Sequence, residues 1–456
     1  MMVWSCFILS IRAAEISEVV EDIKWWDVWP DQRLVEVIED GLQSAPDVYI
    51  AQARVKQAQA AAGQQRAAFL PRVSASWSSN TQPRDALGFG FGLSSLDDLV
   101  PDIPGIEAPE EEETSDLFTA GTAAVRLDVP LDIWGMGVST YQAAQMEVLA
   151  NSENQRSAMY ALTVGIANAY YDLVQAQQQL TIINEQVRLT AHLLEVTQMR
   201  HERGEASVLD VLQQEQQLAS IGTQVPRGQQ QVQLAEQRLL VLLGKEPSGS
   251  IDINASFPQI SSFAQQDLDR WMSARPDVLA AQYQVQSAEK RRYSAMVNFL
   301  PSLSVGGQLS RQANLTDEWE TLDAWGVSTG ASMTLFQGGG KMEGLRSATA
   351  SVAIAEQSLR QVNLRAQQEL QQIQLTEETQ RSIREASILQ LDTATRAFEE
   401  AERQYVSGLV PITVLFATQQ AYQQAQINDI QTQRDQVRTR LQSYFVLAIS
   451  QGGLAQ

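Results

Sequence analysis

The chain has 456 residues, with 33 Lys and Arg against 54 Asp and Glu, a net charge of −21. That balance excludes a binder of nucleic acid, because no basic stripe is available to release counterions from a phosphate backbone. One Cys and two His exclude a disulfide scaffold, a Cys/His zinc cluster and a Cys–His nucleophile pair. A length prior of about 150 residues per domain suggests two or three domains. No run reaches the roughly 18 apolar residues of a spanning helix, so any crossing of a bilayer falls to strands.

At the start, Met1 to Ala14 is apolar enough for the core of an export signal but lacks a basic start and is short. It reads as a signal-peptide remnant, 1–14. Cys6 is a candidate lipid acceptor, although Trp4 departs from the small-residue context of such sites.

An internal repeat organises the rest of the chain. Pro46-Asp47-Val48 recurs as Pro276-Asp277-Val278, and Phe69-Leu70-Pro71 as Phe299-Leu300-Pro301, both at an offset of 230. Gly204 and Gly408 share similar settings at an offset of 204, so the first copy carries 26 extra residues between Ser74 and Gly204. They fall in Pro83 to Thr114, a Pro- and Gly-bearing stretch ending in Glu110 to Glu113, read as a long exposed loop.

The first copy, 15–243, is expected to hold strands at about 70–80 and 121–134, a loop at 81–118 and a helical hairpin at 138–243. A linker at 244–274 leads to the second copy, 275–449, with strands at about 301–311 and 325–336 and a hairpin at 342–449; 450–456 is a tail. The strands alternate: from Val125 to Ile133, apolar positions interleave with polar ones or Pro, the pattern of a strand with one oily and one wet face. Trp77, Trp134, Trp325 and Phe336 are placed near strand ends, as in an aromatic girdle. Four strands cannot close a barrel, and open edges in lipid strand polar backbone groups. A membrane reading therefore requires an oligomer of two, three or four chains.

The stretch from Val138 to Arg200 is free of Pro, and Met159, Leu162, Ile166, Ala169, Leu173, Ala176, Leu180, Ile183, Val187 and Leu194 follow coiled-coil spacing. Pro226 is expected to kink or break the return helix. At the turns, Gly204 and Gly408 suit a left-handed helix end, and Ser207 with Asp210 has the spacing of a capping box. His192 and His201 lie nine apart and read as solvated helical residues. The spacing of Gly338, Gly339 and Gly340 to Lys341 is wrong for a phosphate loop and reads as a strand-to-helix junction. No catalytic, cofactor or metal site is expected.

Taken together, Ala45-Pro46-Asp47-Val48, Arg275-Pro276-Asp277-Val278, the Phe-Leu-Pro motifs, Leu131-Asp132-Ile133-Trp134-Gly135, Leu335-Phe336-Gln337-Gly338-Gly339, Leu242-Leu243-Gly244 and the two tip glycines resemble the outer-membrane efflux protein family, the TolC-type exit ducts, from about Leu34 onward. The resemblance implies a mainly α fold with a transmembrane part: a homotrimer with a 12-stranded β-barrel in the outer membrane of a Gram-negative-type bacterium. A helical barrel would reach into the periplasm, with a mixed equatorial belt. It implies a passive duct whose partners are outer-membrane lipid, a periplasmic adaptor and an inner-membrane pump, with a lumen that in this family is often acidic and cation-favouring. The exit component of type I protein secretion and a periplasmic coiled-coil interaction protein are the alternatives.

By the same resemblance, Gly204, Glu205, Ala206, Ser207 and Val208 with Gly408, Leu409, Val410, Pro411, Ile412 and Thr413 form the adaptor-docking tips. Asp210, Tyr405 and Val414 form the tip constriction. Some members place aspartates six and nine residues after the second tip glycine; Val414 and Ala417 stand there. A carboxylate ring from the second copy is thus not expected.

Overall fold

A computed structural model describes residues 25–83, 117–253, 255–260, 274–314 and 321–447. After a 3-10 turn at Trp25–Val28 come α1 (Gln32–Ser44), α2 (Pro46–Ala67), β1 (Arg72–Pro83), β2 (Leu117–Leu131), α3 (Met136–Glu202), α4 (Val208–Gly222) and α5 (Gln224–Leu242). The second copy supplies α6 (Pro276–Val297), β3 (Ser302–Asn314), β4 (Thr321–Ser332), α7 (Gly340–Val406) and α8 (Ile412–Leu447). Helices α2 and α6 begin and end 230 residues apart, whereas α3 and α7, each of 67 residues, begin and end 204 apart. The change of offset therefore falls between β1 and β2. Met1–Ala14, Cys6 and Glu110–Glu113 lie outside the described residues.

Element ends depart from expectation for local reasons. Strand β2 stops at Leu131 because Asp132 Oδ2 already accepts the Val138 N–H at 2.8 Å and starts α3. Strand β4 stops at Ser332, ahead of the Gln337–Gly340 turn. In the other direction β2 begins at Leu117, because Thr119, Ala120, Gly121 and Thr122 offer too little polar contrast for alternation to register. At their loop-side ends the strands thus run past their expected limits, and Trp77 and Trp325 lie inside β1 and β4 rather than at their ends. The return helix of the first copy breaks between Gly222 and Gln224. Pro226 has no N–H to give to the Gly222 carbonyl, and its ring crowds that group, so the break falls one turn ahead of it. In α8 the corresponding helix runs 36 residues unbroken.

Gln59–Gln145 and Gln286–Ala353 form one compact unit, which holds the sheet; the remaining described residues form a second. The sheet is an antiparallel meander in the order β1-β2-β3-β4. Its register pairs Val73 with Leu127, Val125 with Leu309, and Leu309 with Trp325, so odd-numbered residues share one face on all four strands. That face carries Val73, Ala75, Trp77, Val125, Leu127, Val129, Leu303, Val305, Leu309, Trp325 and Val327. The even face carries Ser74, Ser76, Ser78, Arg126, Asp128, Ser304, Gln308 and Ser328. Trp77, Trp325 and Val327 are 70%, 79% and 72% exposed, and among the described residues neither β1 nor β4 has a partner on its outer edge. Beneath the sheet, Trp134 Nε1 donates to the Pro301 carbonyl at 2.7 Å, and Ser139 Oγ to the Lys290 carbonyl at 2.8 Å, tying α3 to α6.

In the second unit, the middle of α3 buries Ile166, Tyr170, Tyr171, Leu173 and Val174 against Leu34 and Ile38 of α1, Leu239 of α5 and Leu441 of α8. Trp25 stacks on Tyr444 with ring centres 5.4 Å apart. Asp31 caps α1 through the Arg33 and Leu34 N–H groups, and its other oxygen accepts the Tyr171 hydroxyl at 3.2 Å. Burial is the main cause that pushes the Tyr170 and Tyr171 hydroxyls far above the usual phenol range, so both stay protonated. The described residues of the linker add Ile251, Ile253, Phe257 and Ile260 to this cluster. Arg434 of α8, 2% exposed, binds Asp172 through Nε at 2.8 Å and Asn168 through Nη2 at 3.0 Å, joining α8 to α3. Burial lowers its pKa, against the opposing pull of Asp172.

Candidate functional site

The helix-hairpin turns bring together the residues singled out in the two copies. Gly204 and Gly408 both sit at φ +75°, where a glycine costs nothing and any Cβ is strained. Each closes the same motif. The Gly204 and Glu205 N–H groups reach the His201 and Arg200 carbonyls at 2.9 and 2.8 Å, and those of Gly408 and Leu409 reach Tyr405 and Gln404 at 3.0 and 2.9 Å. The return helices start differently. Before α4, Ser207 Oγ accepts the Asp210 N–H at 3.2 Å while Asp210 Oδ2 accepts the Ser207 N–H at 2.9 Å, a complete capping box. Before α8, Pro411 stands just outside the first helical residue.

Beneath the turns lies a small core of Leu193, Phe398, Ala401, Tyr405, Ile412 and Leu415, with Phe398 stacked on Tyr422 at 5.4 Å. Tyr405 is 3% exposed and is held from α3 at two points one turn apart. Its hydroxyl meets Thr197 Oγ1 at 3.1 Å; the Arg200 guanidinium carbon stands 4.7 Å from its ring centre, and Arg200 Nη1 donates to its carbonyl. Arg200 thus places a cation on the electron-rich ring and at the negative end of α7. Glu205 Oε2 approaches Arg200 Nε at 3.8 Å. Higher in the hairpins, Thr190 accepts Gln214 Nε2 on its carbonyl at 3.1 Å and Gln419 Nε2 on its hydroxyl at 2.9 Å. All three residues are fully buried, so one polar layer joins α3, α4 and α8.

Asp210 faces its own cap, and Tyr405 faces Thr197 and Arg200, two residues absent from the tip set expected from the sequence. Arg200 carried a signal, a basic residue in the last turn of α3; Thr197 carried none. Val414 is 40% exposed, the third residue of α8 as Asp210 is of α4. Ile412 turns into the core and cannot present a surface. The exposed tip consists of Gly204, Glu205, Ser207, Val208, Gly408, Leu409, Pro411 and Thr413, with Ala206 and Val410 half-buried. His201 is exposed, yet its Nδ1 lies 2.9 Å from the Ala206 carbonyl, so it braces the turn rather than standing free in solvent. Among the described residues no group of three His, Cys, Asp or Glu could hold a metal ion, and no helix is long and apolar enough to cross a membrane.

The sequence profile of the outer membrane efflux protein family matches residues 37–245 and 268–447, and the chain belongs to that family. It is an outer-membrane protein of a Gram-negative-type bacterium, in a family of efflux channels. Among its relatives, the pyoverdine export outer membrane protein OpmQ of Pseudomonas putida is 24% identical over 440 residues, 95% of this chain and 89% of that one. The Pseudomonas aeruginosa OpmQ is 27% identical over 310 residues, 66% of this chain and 61% of that protein. The fusaric acid resistance protein FusA of Burkholderia cepacia is 26% identical over 353 residues, covering 75% and 63%. Among solved structures, the outer-membrane channel OprN superposes with a TM-score of 0.80 at 20% identity, covering 94% of this chain and 93% of that one. The outer membrane protein VceC of Vibrio cholerae gives 0.79 at 20% identity, covering 93% and 98%. The described fold is thus the mainly helical, TolC-like one with a small sheet.

Replacing Arg200 with Ala removes the cap on α7 and the ring contact together, a loss of about 2 kcal/mol. Amide exchange at 402–409 is expected to accelerate roughly thirtyfold at that loss, with Arg200→Lys intermediate. Unchanged exchange in Arg200→Ala contradicts the clamp.

Proposed function

We propose that the chain is one third of a homotrimeric duct whose twelve strands form an outer-membrane β-barrel, with the helical hairpins extending into the periplasm. The supporting observation is the sheet: an exposed apolar odd face, a polar even face and two open edges. In hydrocarbon an unpaired backbone group costs several kcal/mol, so such a sheet is stable there only when the edges of neighbouring chains pair. Three chains of four strands give an even-numbered barrel of twelve, within the size range of such proteins. The odd face then meets lipid and the even face meets water. Along β3 the odd face is free of charge from Leu303 to Leu309 and reaches Arg311, paired with Asp323 at 2.6 Å. The eight residue steps from Leu303 to Arg311, at about 3.3 Å each and tilted by some 40°, rise about 20 Å, close to the height of the apolar band of such barrels.

The hairpin tips are the docking surface for a periplasmic adaptor, itself tied to an inner-membrane pump. Leu409, 76% exposed, and Val208, 57%, leave apolar side chains at the turns with no cover from this chain. Transport through the duct is passive. The names of OpmQ and FusA support small-molecule export as the cargo class. A coiled-coil spacer with a soluble sheet is disfavoured by Trp77 and Trp325, which water would leave bare.

In detergent the protein is expected to run as a heat-labile band at three times the chain mass of 50.4 kDa and to give single-channel conductance in planar bilayers. A monomer that stays soluble without detergent overturns the duct. Cysteines replacing Glu205 and Leu409 are expected to crosslink to a periplasmic adaptor protein; crosslinking from these sites no stronger than from a cysteine at Gln372 overturns docking at the tips.

A further inference from the structure

The described residues of the sheet-bearing unit carry nine Lys and Arg against five Asp and Glu, opposite in sign to the chain's −21. Part of that excess lies on the even face of the sheet. Apart from Arg72, Asp128 and Arg126, the side chains described there are uncharged, and most are Ser, Gly, Ala or Thr. Arg72 and Asp128 are register partners on adjacent strands. The next row toward the loops is Ser74, Arg126, Gln308 and Gly326, so Arg126 stands between the short Ser74 and Gln308, with Gly326 beyond.

Arg126 is exposed, and its Nη2 donates to Gln308 Oε1 at 3.0 Å. That partner orients the guanidinium without neutralising it. Among the described residues no carboxylate lies within ion-pair distance of Arg126, whereas Arg311 on the opposite face is closed off by two bonds to Asp323 at 2.6 and 2.7 Å. A guanidinium held by one neutral acceptor keeps N–H groups free in the fork geometry that matches a carboxylate or sulfate. A fixed charge on the low-dielectric wall of a narrow passage raises the local concentration of the opposite ion.

We propose that Arg126, braced by Gln308, forms a threefold cationic ring inside the strand-lined section of the duct and biases that section toward anions, with small organic anions as the cargo class. The inference rests on the trimeric duct proposed above and inverts, for the strand section, the cation preference that the family resemblance implies.

The test is the reversal potential of single channels in planar bilayers under a tenfold KCl gradient, for wild type, Arg126→Gln, Arg126→Glu and Gln308→Ala. The chloride-to-potassium permeability ratio is expected to fall about twofold in Arg126→Gln and further in Arg126→Glu, with Gln308→Ala, which keeps the charge, changing least. Conducting channels whose ratio is the same in wild type and Arg126→Gln overturn the inference and leave the duct standing. Wild-type protein that forms no conducting pore overturns both. Because Arg126→Gln keeps a long polar side chain at an exposed position, it tests the charge without disturbing the packing.

Discussion

Backbone hydrogen bonds at the two edges of one sheet are the constraint on which the rest depends. A four-stranded sheet in water can leave its edges to solvent. A sheet that turns Val73, Trp77, Leu309 and Trp325 outward and lies in hydrocarbon cannot, and no rearrangement within one chain supplies the missing partners. The chain meets this by duplication: each copy contributes one strand pair between its short helix and its long one, and β2 pairs with β3 across the copies. In the proposed trimer, pairing between chains completes what duplication began.

The helices follow from the same duplication. Each copy returns from the sheet through a helix of 67 residues, a contour of about 100 Å. Helices this long, with polar residues and Ala between their apolar positions, gain little from propensity alone and depend on their neighbours. Buried links set the register between them: Arg434 to Asp172, Arg275 to Glu369 at 3.0 Å, and the Thr190, Gln214 and Gln419 layer. Buried polar groups are costly when unpaired, so each penalises a slip of one helix along the next. At the far end, Arg200 and Thr197 hold the second turn to the first through Tyr405. The hairpins therefore meet at a contact of a few side chains, far smaller than the core of Trp25, Tyr170 and Leu239.

The repeat was legible because Pro-Asp-Val and Phe-Leu-Pro are rigid local motifs that recur without a gap. The sheet faces were legible because a period of two needs only neighbours in sequence. Strand limits were less so where Thr119 to Thr122 blur the alternation. The coiled-coil spacing coincides with the buried face at Leu162, Ile166, Ala169 and Leu173, but not near the tip. There Val187 and Leu194 are only half-buried, and Gln186, Thr190, Leu193 and Thr197 face inward. A helix at 3.6 residues per turn drifts off a strict seven-residue stripe, and the drift rotates polar residues into the contact. The tip clamp was invisible for a related reason: Arg200 and Tyr405 are 205 residues apart, and only the packing of two hairpins joins them.

The most direct test is the environment of β4, residue by residue. Spin labels placed singly at 323 to 331 in protein reconstituted into liposomes report collision with oxygen, which concentrates in lipid, and with a water-soluble nickel chelate. The account predicts a period of two, with oxygen favoured at 325, 327, 329 and 331 and nickel at 324, 326, 328 and 330. Uniform access to nickel along the strand, or an alternation of the opposite phase, contradicts it.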